Sequence, residues 1–374
     1  MQNLLNLICL ICFSLLIFTN SHCKPKPLKK TELKTLESLP NQSFSFLVLG
    51  DSQNPVSKNP EVTNQPERVA IFNKIYEELN SRNPPDFVVH VGDFTETGSS
   101  SKEWKKYFDE IFWDKLSEEQ KNKFFPVVGN HEYKDHFFNY GGYDLKKYYQ
   151  HFPHIQKNRY YFFRYGNSIF IILDSGRNGI MKVIGGERWQ NGIEEQIDWL
   201  KKEFFPHLSK QNEVENIFLI FHKPAYATPE YLRNKQSAKV IGMFEDYNST
   251  QNDKFKLTVF NGHIHTFSHI VKDFNNDGKK PTDQFTIGTA GGKQRGKKYF
   301  KKIKTVEGLD LYRKSKYYQG IEEDGIDKEI FDKVRFDSEI FGYLEVKVGE
   351  EIEFIFHRLF TERDGFIRNY EFRK

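Results

Sequence analysis

Five short apolar segments each end in a residue type that binds metal ions or transfers protons, and this repetition constrains the fold more than any other feature. The residues that follow SFLVL, FVVHV, FPVV, IFLIF and KLTVF are, after a glycine in most cases, Asp51, Asp93, Asn130-His131, His222 and His263. Short apolar runs of this kind are typical of buried strands. Because ligands bind at the carboxyl ends of strands in open α/β sheets, we expect these side chains to converge.

Helices and hairpins alternate with these strand-like segments. Apolar residues recur at helical spacing from Pro66 to Asn80, and a second helix is predicted around Glu194 to Phe205. Hairpins are predicted from Tyr160 to Asp174 and from Tyr343 to Phe360, turning at Gly-Asn and Gly-Glu pairs. The order predicts an α/β protein, a layered αββα sandwich of mixed sheets with a metal site at the strand carboxyl ends.

Composition excludes several classes of protein. Lys+Arg is 55 and Asp+Glu is 51, which leaves a formal net charge of +4 and excludes a polyanion-binding protein defined by bulk charge. The chain is 38% hydrophobic and 16% aromatic, which is enough for a sizeable core and excludes global disorder. A length of 374 residues fits one large domain or two small ones.

The first 23 residues predict export. They carry no Asp, Glu, Lys or Arg, and they are apolar almost without a break from Leu4 to Phe18. A run of this length fits a secretory signal peptide better than a membrane span. We therefore predict a signal peptide at 1–23 and a periplasmic, secreted or lipid-anchored protein. A lipoprotein signal ending at Cys23 and a retained anchor helix are the alternatives.

Two basic segments lie outside the strand and helix pattern. Residues 24–42 hold five lysines and three prolines and are interpreted as a solvated tether, with contact to an anionic membrane as the alternative. Seven of the twelve residues of 293–304 are Lys or Arg, and they open an insertion at about 293–336. Because acidic residues follow, we favour a solvated loop over a nucleic-acid site. The folded domain is predicted to span 43–374.

The residue types at the strand ends suit two metal ions. Two aspartates, one asparagine and three histidines form an oxygen-and-imidazole set for ions such as Zn, Mn or Fe. These are Asp51, Asp93, Asn130, His222, His263 and His265. One zinc needs only three or four protein ligands, so six indicate two metals that share a carboxylate. Two metals about 3.5–4 Å apart are used for in-line displacement at phosphorus.

The motifs GDxx, GDFTETG, GNHE, FHKP and GHIH, in this order, resemble the calcineurin-like metallophosphoesterase superfamily from about Ser43 to Gly292. HKPAY followed by GHIHTFSH and IGTAGG is also similar to its purple acid phosphatase branch. The resemblance implies a hydrolase that acts on phosphoric ester bonds with two divalent metal ions (Mn, Fe or Zn). The implied substrates are phosphate-ester small molecules, nucleotides or phosphoproteins.

The resemblance also implies a role for each matching residue. Asp51 and His265 would hold the first metal, and Asn130, His222 and His263 would hold the second.

Two further residues carry the catalytic roles that the resemblance implies. Asp93 would bridge both metals, and His131 would lie beside the phosphoryl group as proton donor or charge stabiliser. The attacking group would be a hydroxide held by the two metals. A non-catalytic surface binding protein on the same scaffold is the alternative function.

Two positions depart from the pattern of the family. Gln53 stands where many members have His, which predicts a first metal site with a weaker or water-completed ligand set. Glu96 stands where purple acid phosphatases have Tyr; it is either a first-metal ligand or, as we favour, a surface loop residue.

Three other residues or segments have competing interpretations. Residues 273–278 match the first half of a calcium-binding loop, but Gln284 stands where calcium needs a Glu, so a hairpin turn is favoured. Tyr133 and Tyr226 either stack a nucleotide base or pack the rim of the site.

Overall fold

The computed structural model describes residues 43–53, 65–134, 145–176, 193–226, 234–292, 335–337, 341–360 and 365–373. The predicted signal peptide, the tether and most of the basic insertion lie outside these described residues. Within them, thirteen strands form two sheets with helices against them.

The strands, in chain order, are β1 (Phe44–Leu49), β2 (Phe87–His90), β3 (Phe124–Pro126), β4 (Tyr161–Tyr165), β5 (Ser168–Ile172), β6 (Asn216–Ile220), β7 (Lys256–Asn261), β8 (Phe267–Lys272), β9 (Thr282–Ile287), β10 (Arg335–Asp337), β11 (Gly342–Val348), β12 (Ile352–Phe360) and β13 (Gly365–Arg373). The α-helices are α1 (Gln65–Leu79), α2 (Ser101–Trp104), α3 (Glu118–Asn122), α4 (Lys146–His151), α5 (Ile193–Trp199), α6 (Phe205–Leu208) and α7 (Lys235–Thr250). Single turns of π or 3₁₀ helix lie at Lys105–Asp109, Trp113–Lys115, Pro153–Ile155 and Leu200–Phe204.

Both sheets are mixed. The first has the order β13-β12-β11-β1-β2-β3, in which β1, β2 and β3 are parallel and the remaining pairs are antiparallel. The second has the order β10-β8-β9-β7-β6-β5-β4, in which β5, β6, β7 and β9 are parallel. The predicted ligand motifs therefore lie in the loops that follow parallel strands of the two sheets.

Aromatic side chains fill the space between the two sheets. Phe46 of β1 stacks on Phe87 of β2 at 4.9 Å between ring centroids. Phe46 also makes T-shaped contacts across the interface with Phe170 of β5 at 5.2 Å and Phe218 of β6 at 5.3 Å. Such pairs add to the free energy of apolar burial. The high phenylalanine content is thus used to pack one sheet against the other.

Helices cover both outer faces. Ile71, Phe72 and Ile75 of α1 are buried in the same apolar cluster as the strands of the first sheet. A second cluster joins the outer face of the second sheet to α7 and includes Leu219 of β6 and Val240 of α7. The layered αββα sandwich of mixed sheets is therefore confirmed.

The predicted elements agree with the structure to within a few residues at their ends. The helix predicted at Pro66–Asn80 is α1, and both hairpins are present as β4–β5 and β11–β12. Helix α7 was not predicted; Asn234 caps it by accepting hydrogen bonds from the backbone N–H groups of the first turn. The last two residues of the predicted insertion, 335 and 336, belong to β10, which pairs with β8.

The candidate calcium loop is a hairpin turn between β8 and β9. The Asp273 carboxylate accepts hydrogen bonds from the backbone N–H of Asn276 at 2.7 Å and of Gly278 at 2.8 Å. These bonds close the turn internally, as Asp does at many turns. The turn interpretation is confirmed.

No helix among the described residues combines the length and the apolar character that a membrane crossing requires.

Replacing Phe46 with Ala is expected to lower the free energy of unfolding by about 3–5 kcal/mol, because it leaves a cavity at the interface of the two sheets. Urea denaturation measures the loss. Phe274→Ala is the control, since Phe274 is only partly buried at the edge of the second cluster. Equal losses in the two variants would contradict a core centred between the sheets.

Candidate metal centre

The predicted ligands meet at the carboxyl ends of strands from both sheets. Asp51 follows β1 and Asp93 follows β2 in the first sheet, whereas His222 follows β6 and His263 follows β7 in the second. All four side chains are nearly inaccessible to solvent. The site therefore lies where the two sheets adjoin, as the apolar strand ends predicted.

Three of these residues have left-handed backbone conformations. The φ angles are 58° at Asp51, 60° at Asp93 and 70° at His263. Only a few per cent of residues other than glycine adopt this region, although Asp and His do so more often than most. Such conformations persist where the surrounding structure enforces them, and they cluster at functional sites. Here they turn the three side chains inward immediately after their strands.

The glycines of the motifs leave room for the carboxylates. A Cβ atom on Gly129 would lie 2.2 Å from Oδ1 of Asp93, and one on Gly262 would lie 2.3 Å from Oδ2 of Asp51. Any other residue would push these carboxylates away. The glycines of GNHE and GHIH are thus required by close approach to the ligand side chains.

One group of donor atoms is formed by Asp93, His222 and His263. The Nε2 atom of His222 lies 3.2 Å from Oδ2 of Asp93 and 3.2 Å from Oδ1 of Asn130. Oδ1 of Asn130 lies 2.7 Å from Nδ1 of His263. The Nδ1–H of His222 donates to the carbonyl of Val91 at 2.7 Å, which directs its other nitrogen to the site.

A second group is formed by Asp51, Asp93 and His265, so that Asp93 belongs to both. Nε2 of His265 lies 3.4 Å from Oδ1 of Asp51. The Gln53 amide nitrogen lies 3.0 Å from Nε2 of His265 and donates to Oδ2 of Asp93 at 3.2 Å. Gln53 therefore contacts this group through its amide nitrogen, and its role as a metal ligand stays a prediction.

The charge of these two groups suits divalent cations. Asp51 and Asp93 are both buried, and histidines lie close to each, His222 at 3.2 Å from Asp93 and His265 at 3.4 Å from Asp51. Burial alone raises the pKa of Asp93, but His222, His131 and His263 outweigh it and hold that pKa well below its ordinary value. Burial lowers and Asp93 raises the pKa of His222, with a net rise to about 9. Without a metal ion, the carboxylates thus stabilise a proton on a neighbouring histidine, and a bound cation would supply positive charge in its place. The donor atoms of each group lie within 4.8 Å of one another, which fits such an ion.

His131 lies beside the two groups and is held by the backbone. Its N–H donates to Oδ1 of Asp93 at 2.9 Å. Its ring Nδ1 lies 2.8 Å from the carbonyl oxygen of Glu96; because a carbonyl only accepts, Nδ1 carries a proton. The other nitrogen, Nε2, is 3.8 Å from Oδ2 of Asp93. With 14% of its side chain exposed, His131 is accessible to a ligand.

Glu96 supports His131. Its carboxylate pairs with Lys134 and lies 3.4 Å from Nδ1 of His131. Its side chain is 16% exposed, and the residue lies in the loop after β2, so the surface-loop interpretation stays a prediction. Neither donor group among the described residues includes Glu96.

Glu132, the last residue of GNHE, has a role that its sequence context did not predict. Its Oε2 accepts hydrogen bonds from the N–H of Asp93 at 2.9 Å and of Gly129 at 2.8 Å. Its Oε1 accepts from the N–H of Phe94 at 2.9 Å. Burial and the neighbouring Asp93 raise the pKa of Glu132 to about 8. One buried carboxylate therefore joins the loops that carry Asp93 and Asn130.

His90 was also missed, although a histidine inside the apolar run FVVHV is a signal in itself. Its Nδ1 accepts a hydrogen bond from the N–H of Gly92 at 3.2 Å, and its Nε2 lies 3.0 Å from the Ser52 hydroxyl. Burial lowers the pKa of His90 to about 3 and keeps the ring neutral. The ring joins the loops after β1 and β2.

Tyr133 and Tyr226 pack the rim. Both are buried, at 8% and 5% exposure. The Tyr133 hydroxyl donates to Asp174 at 2.6 Å, and Tyr226 packs against Phe274. In this structure neither ring offers a face to a nucleotide base.

Replacing Glu132 with Gln is expected to weaken metal binding about 10- to 100-fold, because the loops that carry Asp93 and Asn130 lose a shared acceptor. Calorimetric titration of the chelator-treated protein with Mn²⁺ or Zn²⁺ measures the change.

Glu245→Gln is the matched control. Glu245 is also a buried carboxylate that accepts two backbone hydrogen bonds, from Phe274 and Asn275 at 2.7 Å, but its partners are in the turn after β8. Equal metal affinity in the two variants would show that Glu132 has no special connection with the metal centre.

Comparisons with known proteins support the family. No curated protein sequence matches the chain significantly. The calcineurin-like phosphoesterase profile matches residues 44–267. The structure resembles purple acid phosphatase PPD1 from yellow lupin (Lupinus luteus) seeds, with TM-score 0.58, 14% identity and coverage of 89% of this chain and 54% of that one. It also resembles PhoD, with TM-score 0.53, 13% identity and coverage of 91% and 70%.

At these identities the two structures show a shared fold, and the chain spans about half the length of the lupin enzyme. The family match covers more than half of the chain and includes the predicted ligands from Asp51 to His265. The chain therefore belongs to the calcineurin-like phosphoesterase family, whose members are hydrolases of phosphoester bonds.

Proposed function

We propose that the protein is a phosphoesterase that hydrolyses phosphate esters with two divalent metal ions. The observation that supports this most directly is the pair of buried donor groups that share Asp93. A shared carboxylate is what two adjacent cations need, and two adjacent cations suit displacement at phosphorus. Mn, Fe and Zn all match the oxygen-and-imidazole donors.

The first ion would be held by Asp51, Asp93 and His265, with Gln53 beside them. The second would be held by Asp93 together with the set Asn130, His222 and His263. When bound, such ions supply Lewis-acid stabilisation of phosphoryl oxygens and lower the pKa of water. The protein contributes the fixed positions of these donors, which the backbone turns at Asp51 and Asp93 impose.

His131 is the proposed general acid. Its Nδ1–H is engaged with the carbonyl of Glu96, so the Nε2 atom is the one available to a substrate. Two carboxylates lie near the ring, that of Glu96 at 3.4 Å from Nδ1 and that of Asp93 at 3.8 Å from Nε2. A proton on Nε2 can then pass to the leaving alkoxide, a step that typically contributes 10²–10⁴-fold in rate.

The substrate is proposed as a phosphate-ester small molecule, a nucleotide or a phosphoprotein. Tyr133 and Tyr226 are buried, so neither ring is open to stack on the base of a nucleotide substrate. The alternative function, a binding protein with an inactive site, is disfavoured by the intact donor groups and by the accessible His131.

Asp93→Asn is expected to reduce kcat for p-nitrophenyl phosphate by about a thousandfold or more, because several kcal/mol of charge stabilisation depend on the shared carboxylate. Asp109→Asn is the control, since Asp109 also pairs with a histidine, His151 at 3.0 Å. Comparable rates in Asp93→Asn and wild type would contradict the shared position of Asp93.

His131→Ala is expected to lose about 10²–10⁴-fold in kcat while the metal content stays unchanged. Steady-state kinetics and elemental analysis of the same preparation measure both quantities. His151→Ala, which removes a partly buried histidine from the distant Asp109 pair, controls for general effects on packing. Loss of metal in parallel with activity would instead make His131 a ligand.

We also propose that the protein is exported and reaches a periplasmic, secreted or lipid-anchored location. The apolar, uncharged character of residues 1–23 supports this. Mass spectrometry of the mature N-terminus is expected to find a chain that begins at His22, or one that begins at a lipid-bearing Cys23. A chain that keeps residues 1–23 would contradict a cleaved signal.

A further inference from the structure

Arg68 is a buried arginine without an anionic partner. It lies in the first turn of α1, and its side chain has 0% exposure. Its Nη1 makes one long hydrogen bond, 3.4 Å, to the carbonyl of Ser52. Its guanidinium carbon lies 4.9 Å from the ring centroid of Tyr107. Within the described part of the chain, Nε and Nη2 have no hydrogen-bond partner.

Two other arginines of the described residues are paired. Arg159 binds Asp174 and Glu195, each at 2.8 Å, and Arg164 binds Glu213. Both are more exposed than Arg68, with 16% and 23% of their side chains accessible. The most buried of the three is therefore the one without a carboxylate.

An unpaired guanidinium in the protein interior is unfavourable. Burying a charge without a partner costs several kcal/mol, and such groups are usually paired or functional. Burial lowers the pKa of Arg68 to about 10, and the nearby phenol of Tyr107 only partly opposes this. The side chain remains charged at neutral pH, and no carboxylate among the described residues pairs with it.

The free atoms lie on one edge of the guanidinium. Nε–H and Nη2–H point the same way from the planar group, which is the geometry that binds two oxygens of a phosphate or carboxylate. The N-terminal end of α1, a helix of 15 residues, adds a partial positive charge in the same place. Both features favour the binding of an oxyanion at this edge of Arg68.

Arg68 is next to the metal centre. The carbonyl that it contacts belongs to Ser52, which lies between Asp51 and Gln53 in the chain. A Cβ atom on Gly291, where φ is 112°, would lie 2.5 Å from the Cβ of Arg68, so the IGTAGG turn packs directly on this residue. The N–H of the next residue, Gly292, donates to the carbonyl of Asp51 at 2.7 Å. The arginine is thus fixed to the loop that carries the first metal group.

We propose that Arg68 binds the phosphate group of the substrate and, after hydrolysis, the inorganic phosphate that is released. This assignment rests on the proposed function and adds a residue to its substrate recognition. Because Arg68 has no exposed surface, binding requires a neighbouring side chain to move, and the half-buried Tyr107, whose ring lies against the guanidinium, is the candidate. Arg68 is a binding residue in this account and holds no metal.

The test is calorimetric titration of the metal-loaded full-length protein with inorganic phosphate. Arg68→Met is expected to raise the dissociation constant about 10- to 100-fold, the range for a lost charged hydrogen bond. Arg68→Lys, which keeps the charge without the two-pronged edge, should fall between. Arg164→Gln removes a paired surface arginine and should bind phosphate as wild type does.

The melting temperature separates binding from a purely structural role. Removal of an unpaired buried charge should leave the melting temperature of Arg68→Met, measured without phosphate, equal to or above that of wild type. An unchanged phosphate dissociation constant in Arg68→Met would overturn the proposal. If Arg68→Met does not fold, Arg68→Lys decides, and wild-type phosphate affinity in that variant also overturns it.

These outcomes are independent of turnover. Should the wild-type protein fail to hydrolyse p-nitrophenyl phosphate, the proposed function fails, yet phosphate binding still reports on Arg68. Conversely, if the protein hydrolyses phosphate esters but its KM and phosphate affinity do not change when Arg68 is replaced, the proposed function stands and the role of Arg68 is refuted.

Discussion

The burial of two carboxylates side by side is the constraint on which the rest of the site depends. Asp51 and Asp93 are removed from solvent at the junction of two sheets, and histidines provide the nearby positive charge. The donor oxygens of the two carboxylates lie within 4.8 Å of each other. Two negative charges this close in a protein interior repel strongly unless cations lie between them. The raised pKa of His222 reflects this demand. Metal binding therefore explains why the fold tolerates an arrangement that is otherwise unfavourable.

The scaffold holds this arrangement with three kinds of support. Left-handed turns at Asp51, Asp93 and His263 aim the side chains. Glu132 connects the loops after β2 and β3, and His90 connects those after β1 and β2. Behind these loops, phenylalanines between the sheets fix the spacing of the strand ends. Strain at the site is thus balanced by a rigid core, as is usual for functional sites.

Much of this could be predicted from the sequence because it is encoded locally. An apolar run followed by Gly-Asp or Gly-His identifies both a strand and the residue at its end, so the fold class and the convergence of Asp51, Asp93 and His263 followed from the pattern. What was missed depends on contacts between distant segments. Nothing near Glu132 in the chain shows that its carboxylate accepts from Asp93, and nothing near Arg68 shows that it is buried without a partner. The contact of Glu96 with Lys134 was missed for the same reason, since it crosses two loops.

The central claim is that two cations share Asp93, and anomalous diffraction from crystals grown with Mn²⁺ or Zn²⁺ tests it most directly. The account predicts two anomalous peaks, one on each side of the Asp93 carboxylate. One would be bounded by His222 and His263, and the other by Asp51 and His265. A single peak, or peaks remote from Asp93, would contradict it.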